Sequence, residues 1–139
     1  MKKAFAIGKL KELGYKMTPQ REYVLDLFLD SKDHPSAETL YGMIKEKFPY
    51  ISLSTVYNTL NTLVDIGLAK TIYLEDKTYF DPNMEPHSHF VCEHCGTIYD
   101  MEPVSINLKD LKSDHLLYPK SVEVFVYGVC KGCANINEN

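Results

Sequence analysis

Four cysteines in two C-x2-C pairs are the residues with the clearest capacity for chemistry in this sequence. The pairs read CEHC at 92–95 and CKGC at 130–133. Two such turns bring four thiolates to one tetrahedral ion, and a site without a vacant position is structural rather than catalytic. Because paired C-x2-C turns in a reducing compartment favour zinc over disulfides, the pattern predicts a structural zinc bound by Cys92, Cys95, Cys130 and Cys133. A redox dithiol pair and four buried free thiols are the alternatives.

Histidines and aspartates form a second group with the chemistry of a metal site. His87 and His89 stand two positions apart, which in a strand places both imidazoles on one face, about 7 Å apart along the chain. Asp81, Asp100 and His34 lie at the ends of neighbouring predicted elements. Two or three imidazoles with one or two carboxylates suit Fe(II), Mn(II) or Zn(II). The alternative interpretation is that the histidines are ordinary polar residues.

The elements that position these residues begin with four helices and a hairpin. Apolar spacing predicts helices over 3–13, 19–30, 36–48 and 53–66, with N-caps at Thr18, Ser36 and Ser52 and stops at Gly14 and Gly67. The apolar spacing of the first helix is that of Phe5, Ile7, Leu10 and Leu13. Two β-rich runs, 71–74 and 78–81, flank a polar turn. This order predicts a winged helix-turn-helix in which 53–66 is the reading helix.

The outer side of the predicted reading helix is polar but uncharged. An ordinary exposed helix would carry Glu and Lys there, whereas short hydrogen-bonding side chains and a tyrosine ring suit base edges and thymine methyls in the major groove. A small helical domain that binds no nucleic acid is the alternative. The residues are Ser54, Thr55, Tyr57, Asn58, Asn61 and Thr62.

The second half of the chain reads as a small sheet with one helix. PNMEP at 82–86 is a predicted linker, and strands are predicted over 87–92, 97–99 and 121–129, with a helix over 105–113 capped by Ser105. The last strand is apolar on both faces, so it requires a second layer or a second subunit. This half is therefore predicted to be a dimerisation domain. His94 and His115 are predicted to be surface residues.

Charge and hydropathy limit the class of protein. The chain has 139 residues and a net charge of −4, with 11 Lys and Arg against 10 Asp and Glu in residues 1–80, and 4 against 9 in residues 81–139. Six of the basic residues and a single glutamate fall in the first 21 positions, a local patch that can meet phosphate. No apolar run approaches a membrane span, and the basic N-terminus lacks the core of a secretory signal. We expect a cytoplasmic protein with no membrane partner.

Six separated motifs also give the chain a family resemblance over nearly its whole length. MTPQR, HPSAETLY, STVYNTL, GLAK, HSHFVCEHCG and YGVCKGC occur in this order, and together they resemble the ferric uptake regulator family of metal-dependent transcriptional repressors. The resemblance implies an α+β chain: an N-terminal winged helix-turn-helix domain followed by a small α/β dimerisation domain with a four-cysteine zinc site. It also implies a homodimer that binds double-stranded operator DNA, and a regulatory metal where the two domains meet.

Within that family the sequence is most similar to the peroxide-responsive repressors, whose regulatory site uses three His and two Asp. The resemblance implies Fe(II) or Mn(II) bound by His34, Asp81, His87, His89 and Asp100. It further implies that with Fe(II) peroxide leads to oxidation of a ligand histidine, either His34 or His87, and to release of repression.

The resemblance also implies which residues contact DNA. It implies a minor-groove contact by Lys16 and groove-facing contacts by Thr55, Tyr57 and Asn58, to which the polar pattern adds Ser54. The predicted domains are then 1–81 for DNA binding, 82–86 as hinge, and 87–139 for dimerisation and metal binding.

Two other functions stay open at the level of the sequence. An iron- or manganese-uptake repressor of the same fold would bind DNA in a metal-dependent way without ligand oxidation. A metalloenzyme is the remote alternative, since His, Asp and Cys are abundant. The H-x-E and P-C-x-x-C pattern of the zinc deaminases is absent, and no general base stands out. We therefore predict that the chain is not an enzyme and takes no small-molecule substrate other than metal ion and peroxide.

Overall fold

The computed structural model describes residues 2–115 and 118–137, and these fall into two compact units, Met1–Met84 and Glu85–Asn139. Unit 1 is helical with one hairpin, and unit 2 is built on a small mixed sheet. No helix in the described parts of the chain has the length and apolar character needed to cross a membrane.

Four helices make up most of unit 1: α1 (Lys2–Glu12), α2 (Pro19–Phe28), α3 (Ala37–Ile44) and α4 (Leu53–Asp65). Three of them begin at the predicted N-caps: the side chains of Thr18, Ser36 and Ser52 accept hydrogen bonds from the backbone N–H three residues on. Each cap satisfies one of the amide donors that a helix leaves without an internal partner. Gly14 and Gly67 end α1 and α4 with φ of 86° and 80°, a conformation that glycine adopts without strain.

A single hydrophobic core holds the four helices of unit 1 together. Its fully buried members include Leu10, Phe28, Leu40 and Leu60, one from each helix. In α1 the buried side chains are Ala6 and Leu10, while Phe5 and Leu13 are more than half exposed. One helix face cannot bury all four of the apolar positions that indicated this helix, and the core uses the smaller Ala6.

The wing is an antiparallel hairpin of β1 (Lys70–Leu74) and β2 (Lys77–Asp81). Glu75 and Asp76 form its two-residue turn with φ of 48° and 65°. Both positive values match the type I′ turn that follows the right-handed twist of paired strands. Phe80 on β2 is completely buried in the helical core. The hairpin therefore belongs to the same packed body as the helices.

Unit 2 contains a three-stranded sheet in the order β4-β3-β5. β3 (Ser88–Cys92) pairs antiparallel with β4 (Ile98–Met101) and parallel with β5 (Phe125–Gly128). A short helix, α5 (Lys131–Asn137), follows the last strand. Among the described residues of this unit, the buried side chains of apolar type are only Cys92, Ile98 and Cys133.

Two predicted elements of unit 2 were wrong. The predicted helix over 105–113 is a single 3-10 turn, Leu108–Asp110, capped by Asn107 rather than Ser105. Its apolar side chains are exposed, so no packing supports a longer helix, and short isolated helices are marginal. The last strand is shorter than 121–129, and α5 was not predicted.

Candidate metal centres and nucleic-acid face

The four cysteines of unit 2 come together in one cluster. Cys92 ends β3, Cys130 follows β5, and the parallel pairing of Cys92 with Gly128 brings the two chain segments side by side. Cys95 lies in the turn after β3, and Cys133 lies in the first turn of α5. All four Sγ atoms lie within 4.8 Å of one another. The structure therefore places the sequence-predicted sulfur ligands together.

Backbone amides stabilise negative charge on these sulfurs. The N–H groups of Cys95 and Cys130 both donate to Cys92 Sγ at 3.4 Å, and these hydrogen bonds lower the pKa of the Cys92 thiol to about 6. The Cys133 thiol donates to the Cys130 sulfur, which raises the pKa of Cys133 to about 12.

The dimensions of the cluster fit a tetrahedral zinc ion. Zinc–sulfur bonds of about 2.3 Å place two tetrahedral ligands about 3.8 Å apart. Cys95 Sγ and Cys130 Sγ are separated by 3.9 Å. With four sulfur donors no coordination position would stay open, so such an ion has a structural role.

A second donor set in unit 2 combines two imidazoles and a carboxylate. His87 precedes β3 and His89 lies on it, while Asp100 on β4 pairs with His89 in the antiparallel register. His87 Nε2 and His89 Nε2 are 3.0 Å apart, and Asp100 Oδ1 lies 3.3 Å and 3.6 Å from them. His89 is buried and Asp100 is exposed, so the set is open on the carboxylate side.

The orientation of His87 matches that of a metal ligand. Its Nδ1 lies 2.6 Å from the backbone carbonyl of Glu85, and an Nδ1–H that donates there directs the Nε2 lone pair towards His89 and Asp100. Ligand histidines commonly have such a backbone partner on the second ring nitrogen. Two imidazole nitrogens at right angles, each about 2.1 Å from an ion, would be about 3.0 Å apart. The observed spacing fits adjacent ligands on one ion.

Unit 1 has a buried histidine and aspartate of its own, His34 and Asp81. The backbone N–H of Phe80 donates to the carbonyl of Pro35 at 2.9 Å, which brings the end of β2 next to the segment before α3. His34 Nε2 lies 3.4 Å from Asp81 Oδ2. The other oxygen of Asp81 accepts the backbone N–H of Asn83 at 2.9 Å, which closes an Asx turn and fixes the carboxylate.

His94 and His115 are both exposed. This confirms the prediction that they are surface residues. The backbone N–H of His115 donates to the Ser113 hydroxyl, a local turn contact.

The residues predicted to read DNA differ in exposure and in the contacts that they already make. Lys16, Ser54 and Asn58 are exposed, whereas Thr55 and Tyr57 are half-buried. The Thr55 hydroxyl lies 2.9 Å from that of Ser52, so it belongs to the helix cap.

Sequence reasoning missed two contacts on this side of unit 1. The Tyr57 hydroxyl donates to Glu38 of α3, and the Arg21 guanidinium donates to the backbone carbonyl of Lys16. The position of Arg21 in the first turn of α2, close in sequence to Lys16, was a signal for the second contact.

Comparison with known proteins identifies relatives of this chain in sequence. The model of the ferric uptake regulator family matches residues 12–118. The chain is 34% identical over 131 residues to the peroxide-responsive repressor PerR of Staphylococcus aureus, covering 92% of this chain and 88% of that protein.

Solved structures extend the likeness to the fold. The Campylobacter jejuni peroxide stress regulator is 35% identical with a TM-score of 0.61, covering 91% of this chain and 98% of that one. The Vibrio cholerae ferric uptake regulator is 28% identical with a TM-score of 0.65, covering 88% and 98%. These matches confirm the predicted fold class, a winged helix-turn-helix domain followed by a small α/β domain. They also confirm that the chain is of a class of transcriptional regulators and not of enzymes.

Proposed function

Because the chain belongs to the ferric uptake regulator family, we propose that it is a metal-dependent transcriptional repressor that senses peroxide through its own ligand histidines. The observation that carries the proposal is the nature of the second donor set. His34 with Asp81, and His87 and His89 with Asp100, offer nitrogen and oxygen donors and no thiolate. Such donors suit Fe(II) and Mn(II). The four cysteine sulfurs form a separate group, which we assign to zinc.

The proposed division of labour follows the two units. Residues 1–81 bind double-stranded operator DNA, 82–86 form a hinge, and 87–139 bind structural zinc and form a homodimer in the cytoplasm. Exposed apolar side chains on and near the edge strand β5, among them Val126 and Tyr127, support a role in dimerisation, since a second copy would cover them.

The regulatory step depends on metal-controlled geometry. A single Fe(II) or Mn(II) ion bound by His34, Asp81, His87, His89 and Asp100 would fix the relation of the reading helices in a dimer, and operator binding depends on that spacing. By linkage, operator DNA should tighten metal binding by the factor by which metal tightens DNA binding.

Peroxide sensing requires that oxidation of a ligand side chain weaken its binding to the metal. Bound Fe(II) would supply the redox chemistry that activates peroxide. The net reaction replaces one imidazole C–H with an oxygenated carbon and converts the peroxide to one water. His34 and His87 are the proposed targets. An oxygenated ring is a poorer donor, so the site would lose its metal and repression would end for that molecule.

Peptide mass mapping tests the sensing step. The protein is loaded anaerobically with Fe(II) or Mn(II), given a brief peroxide pulse, and digested after glutamate. Because the Glu85–Pro86 bond resists cleavage, His87 is recovered in the peptide 76–93, separate from the peptide that begins at His94, and fragmentation of 76–93 assigns any added oxygen to a residue. We expect one added oxygen on His34 or His87, in the iron sample only, with His94 as the internal control. Unmodified His34 and His87 with intact metal-dependent DNA binding would instead indicate a metal-uptake repressor.

A substitution separates the two proposed metals. His87→Ala should abolish metal-dependent operator binding and leave the cysteine-bound zinc in place, while His94→Ala should change neither. Loss of zinc together with operator binding in His87→Ala would contradict the proposed partition of ligands.

A further inference from the structure

A short hydrogen bond on the proposed reading face involves Glu38, a residue to which the proposed function gives no role. The Tyr57 hydroxyl of α4 donates a hydrogen bond of 2.6 Å to the carboxylate of Glu38, in the first turn of α3. The Tyr57 ring also contacts Phe80 edge to face, with centroids 6.4 Å apart and an interplanar angle of 70°. Because Phe80 is completely buried, it offers a fixed surface to the ring.

Together these two contacts determine the position of the tyrosine side chain. A tyrosine has two side-chain torsions, and the ring contact and the hydroxyl contact restrain them from different ends of the group. A hydrogen bond to an ionised carboxylate is about twice as strong as one between neutral groups. The same hydrogen bond lowers the pKa of Glu38, because the contact favours the ionised carboxylate.

The contact also limits what Tyr57 can offer to DNA. A phenol has one proton to donate, and in this structure Glu38 accepts it. With that proton engaged, Tyr57 presents a ring edge and face, which suit apolar contact with a thymine methyl.

We propose that Glu38 is a positioning residue for DNA recognition, which holds the Tyr57 ring in the orientation that α4 presents to the major groove. The inference rests on the proposed function, because it requires α4 to be the reading helix. Glu38 itself would not contact a base.

The charge of Glu38 gives this role a distinctive signature. A carboxylate close to phosphates weakens DNA binding of every sequence through repulsion. Removing it should therefore slightly strengthen non-specific binding, while loss of Tyr57 orientation should weaken operator binding. A purely structural role would reduce both affinities together through loss of folded protein.

The experiment begins with the native dimer loaded with zinc and Mn(II). This protein selects its preferred duplex from a random-sequence pool, and affinities for that duplex and for a scrambled duplex are measured by fluorescence anisotropy. The variants are Glu38→Ala, Glu38→Gln, Tyr57→Phe and the double variant Glu38→Ala with Tyr57→Phe. Glu46→Ala is the matched control, because Glu46 is an exposed glutamate in the turn after α3 and its replacement makes the same change in charge.

We expect Glu38→Ala to lower the ratio of specific to non-specific affinity about fivefold to 140-fold, the range that corresponds to one lost base contact of about 1–3 kcal/mol. Glu38→Gln should restore most of the ratio, because its amide oxygen still accepts the Tyr57 hydroxyl. Glu46→Ala should leave the ratio unchanged. In the Tyr57→Phe background, Glu38→Ala should have no effect on the ratio, since the hydroxyl is already absent.

An unchanged ratio of specific to non-specific affinity in Glu38→Ala would overturn the proposal. The proposal would also be overturned if Glu38→Ala lowered this ratio equally in the native protein and in the Tyr57→Phe background. Failure of the native protein to select any sequence is a separate outcome. It would overturn the proposed function and the role of Glu38 with it, whereas selection followed by an unchanged ratio overturns only the role of Glu38.

Discussion

Loss of the proposed structural zinc should unfold unit 2 while unit 1 stays folded, and Cys95→Ser is the most direct substitution with which to remove it. Cys95 is exposed, in contrast to the fully buried Cys92, so its replacement by serine creates no cavity in a core. The effect of the substitution then measures the contribution of the metal rather than that of packing.

The expected loss of stability follows from the small number of apolar side chains that unit 2 buries. Ile98 is the only aliphatic side chain among its described residues that is buried, and complete burial of such a side chain contributes about 1.5–3 kcal/mol. Binding of a structural zinc contributes about 10–16 kcal/mol of apparent free energy, whereas whole domains are stable by about 5–15 kcal/mol. Zinc loss would therefore exceed the net stability of this unit.

Unit 1 should respond differently because it has its own core. Fifteen buried residues from its helices, its hairpin and the segments that join them form one contiguous hydrophobic cluster, and the four cysteines lie outside it. We expect the helical signal of unit 1 to persist in Cys95→Ser.

Zinc content and amide NMR spectra provide the assay. In Cys95→Ser we expect no bound zinc, loss of dispersed amide signals from β3, β4 and β5, and retention of those from α2, α3 and α4. His94→Ala, an exposed neighbour in the same turn, should keep both the zinc and the full spectrum. A Cys95→Ser protein that has lost its zinc but still shows dispersed signals from the three strands would refute the reasoning.

Three further predictions concern unit 1. The hydrogen bond to Glu38 raises the pKa of Tyr57 above its usual 10.0, so the stabilising contribution of this hydrogen bond is complete below pH 10 and is lost as pH rises through the folded pKa. Glu38→Gln should lower the pKa of Tyr57, measured by a 13C NMR titration of the tyrosine ring. An unchanged titration would contradict the assignment. Ser52→Ala should cost about 1 kcal/mol of unfolding free energy by denaturant titration, because Ser52 caps α4 through the Thr55 N–H; Ser54→Ala, on the exposed face, is its control. Leu60→Ala should cost about 2–5 kcal/mol in the same assay, because Leu60 is completely buried, and a cost below about 1 kcal/mol would show that the core readjusts to fill the space.

Local sequence signals were sufficient for the helices of unit 1. N-caps and stop glycines act within a few residues of the helix end they define, so Thr18, Ser36 and Ser52 could be identified without knowledge of the tertiary structure. Periodicity was less informative about burial. Phe5 and Met43 have helical spacing with core residues, yet both are exposed, because only the neighbouring helices determine how wide a helix face is covered.

The same distinction explains the errors in unit 2. The segment 105–113 has apolar residues at helical spacing, but Ile106 and Leu111 remain exposed, so periodicity was present without a surface to pack against. The helix α5 begins inside the second cysteine turn, where Gly132 and the metal-ligand spacing indicated a turn. Its first turn includes Cys133 of the cysteine cluster, a tertiary contact that local propensity does not reveal.

The candidate sites show which contacts a sequence reveals. The C-x2-C pairs and the alternation of His87 and His89 are local patterns with direct chemical meaning. The Glu38–Tyr57 contact joins residues 19 positions apart, on helices whose packing angle is a tertiary property. No pairing rule for residues along the chain predicts it.

The Asx turn at Asp81 explains why a short carboxylate suits this position. One oxygen is held by the N–H of Asn83 and the other faces His34, so the backbone of unit 1 orients the donor during folding. An ion that binds here finds a side chain whose rotational freedom has already been removed, which lowers the entropy cost of capture. Glutamate carries an extra methylene, and the Asx turn is specific to aspartate and asparagine. Aspartate at this position thus combines the proposed metal donor with a loop constraint in one residue.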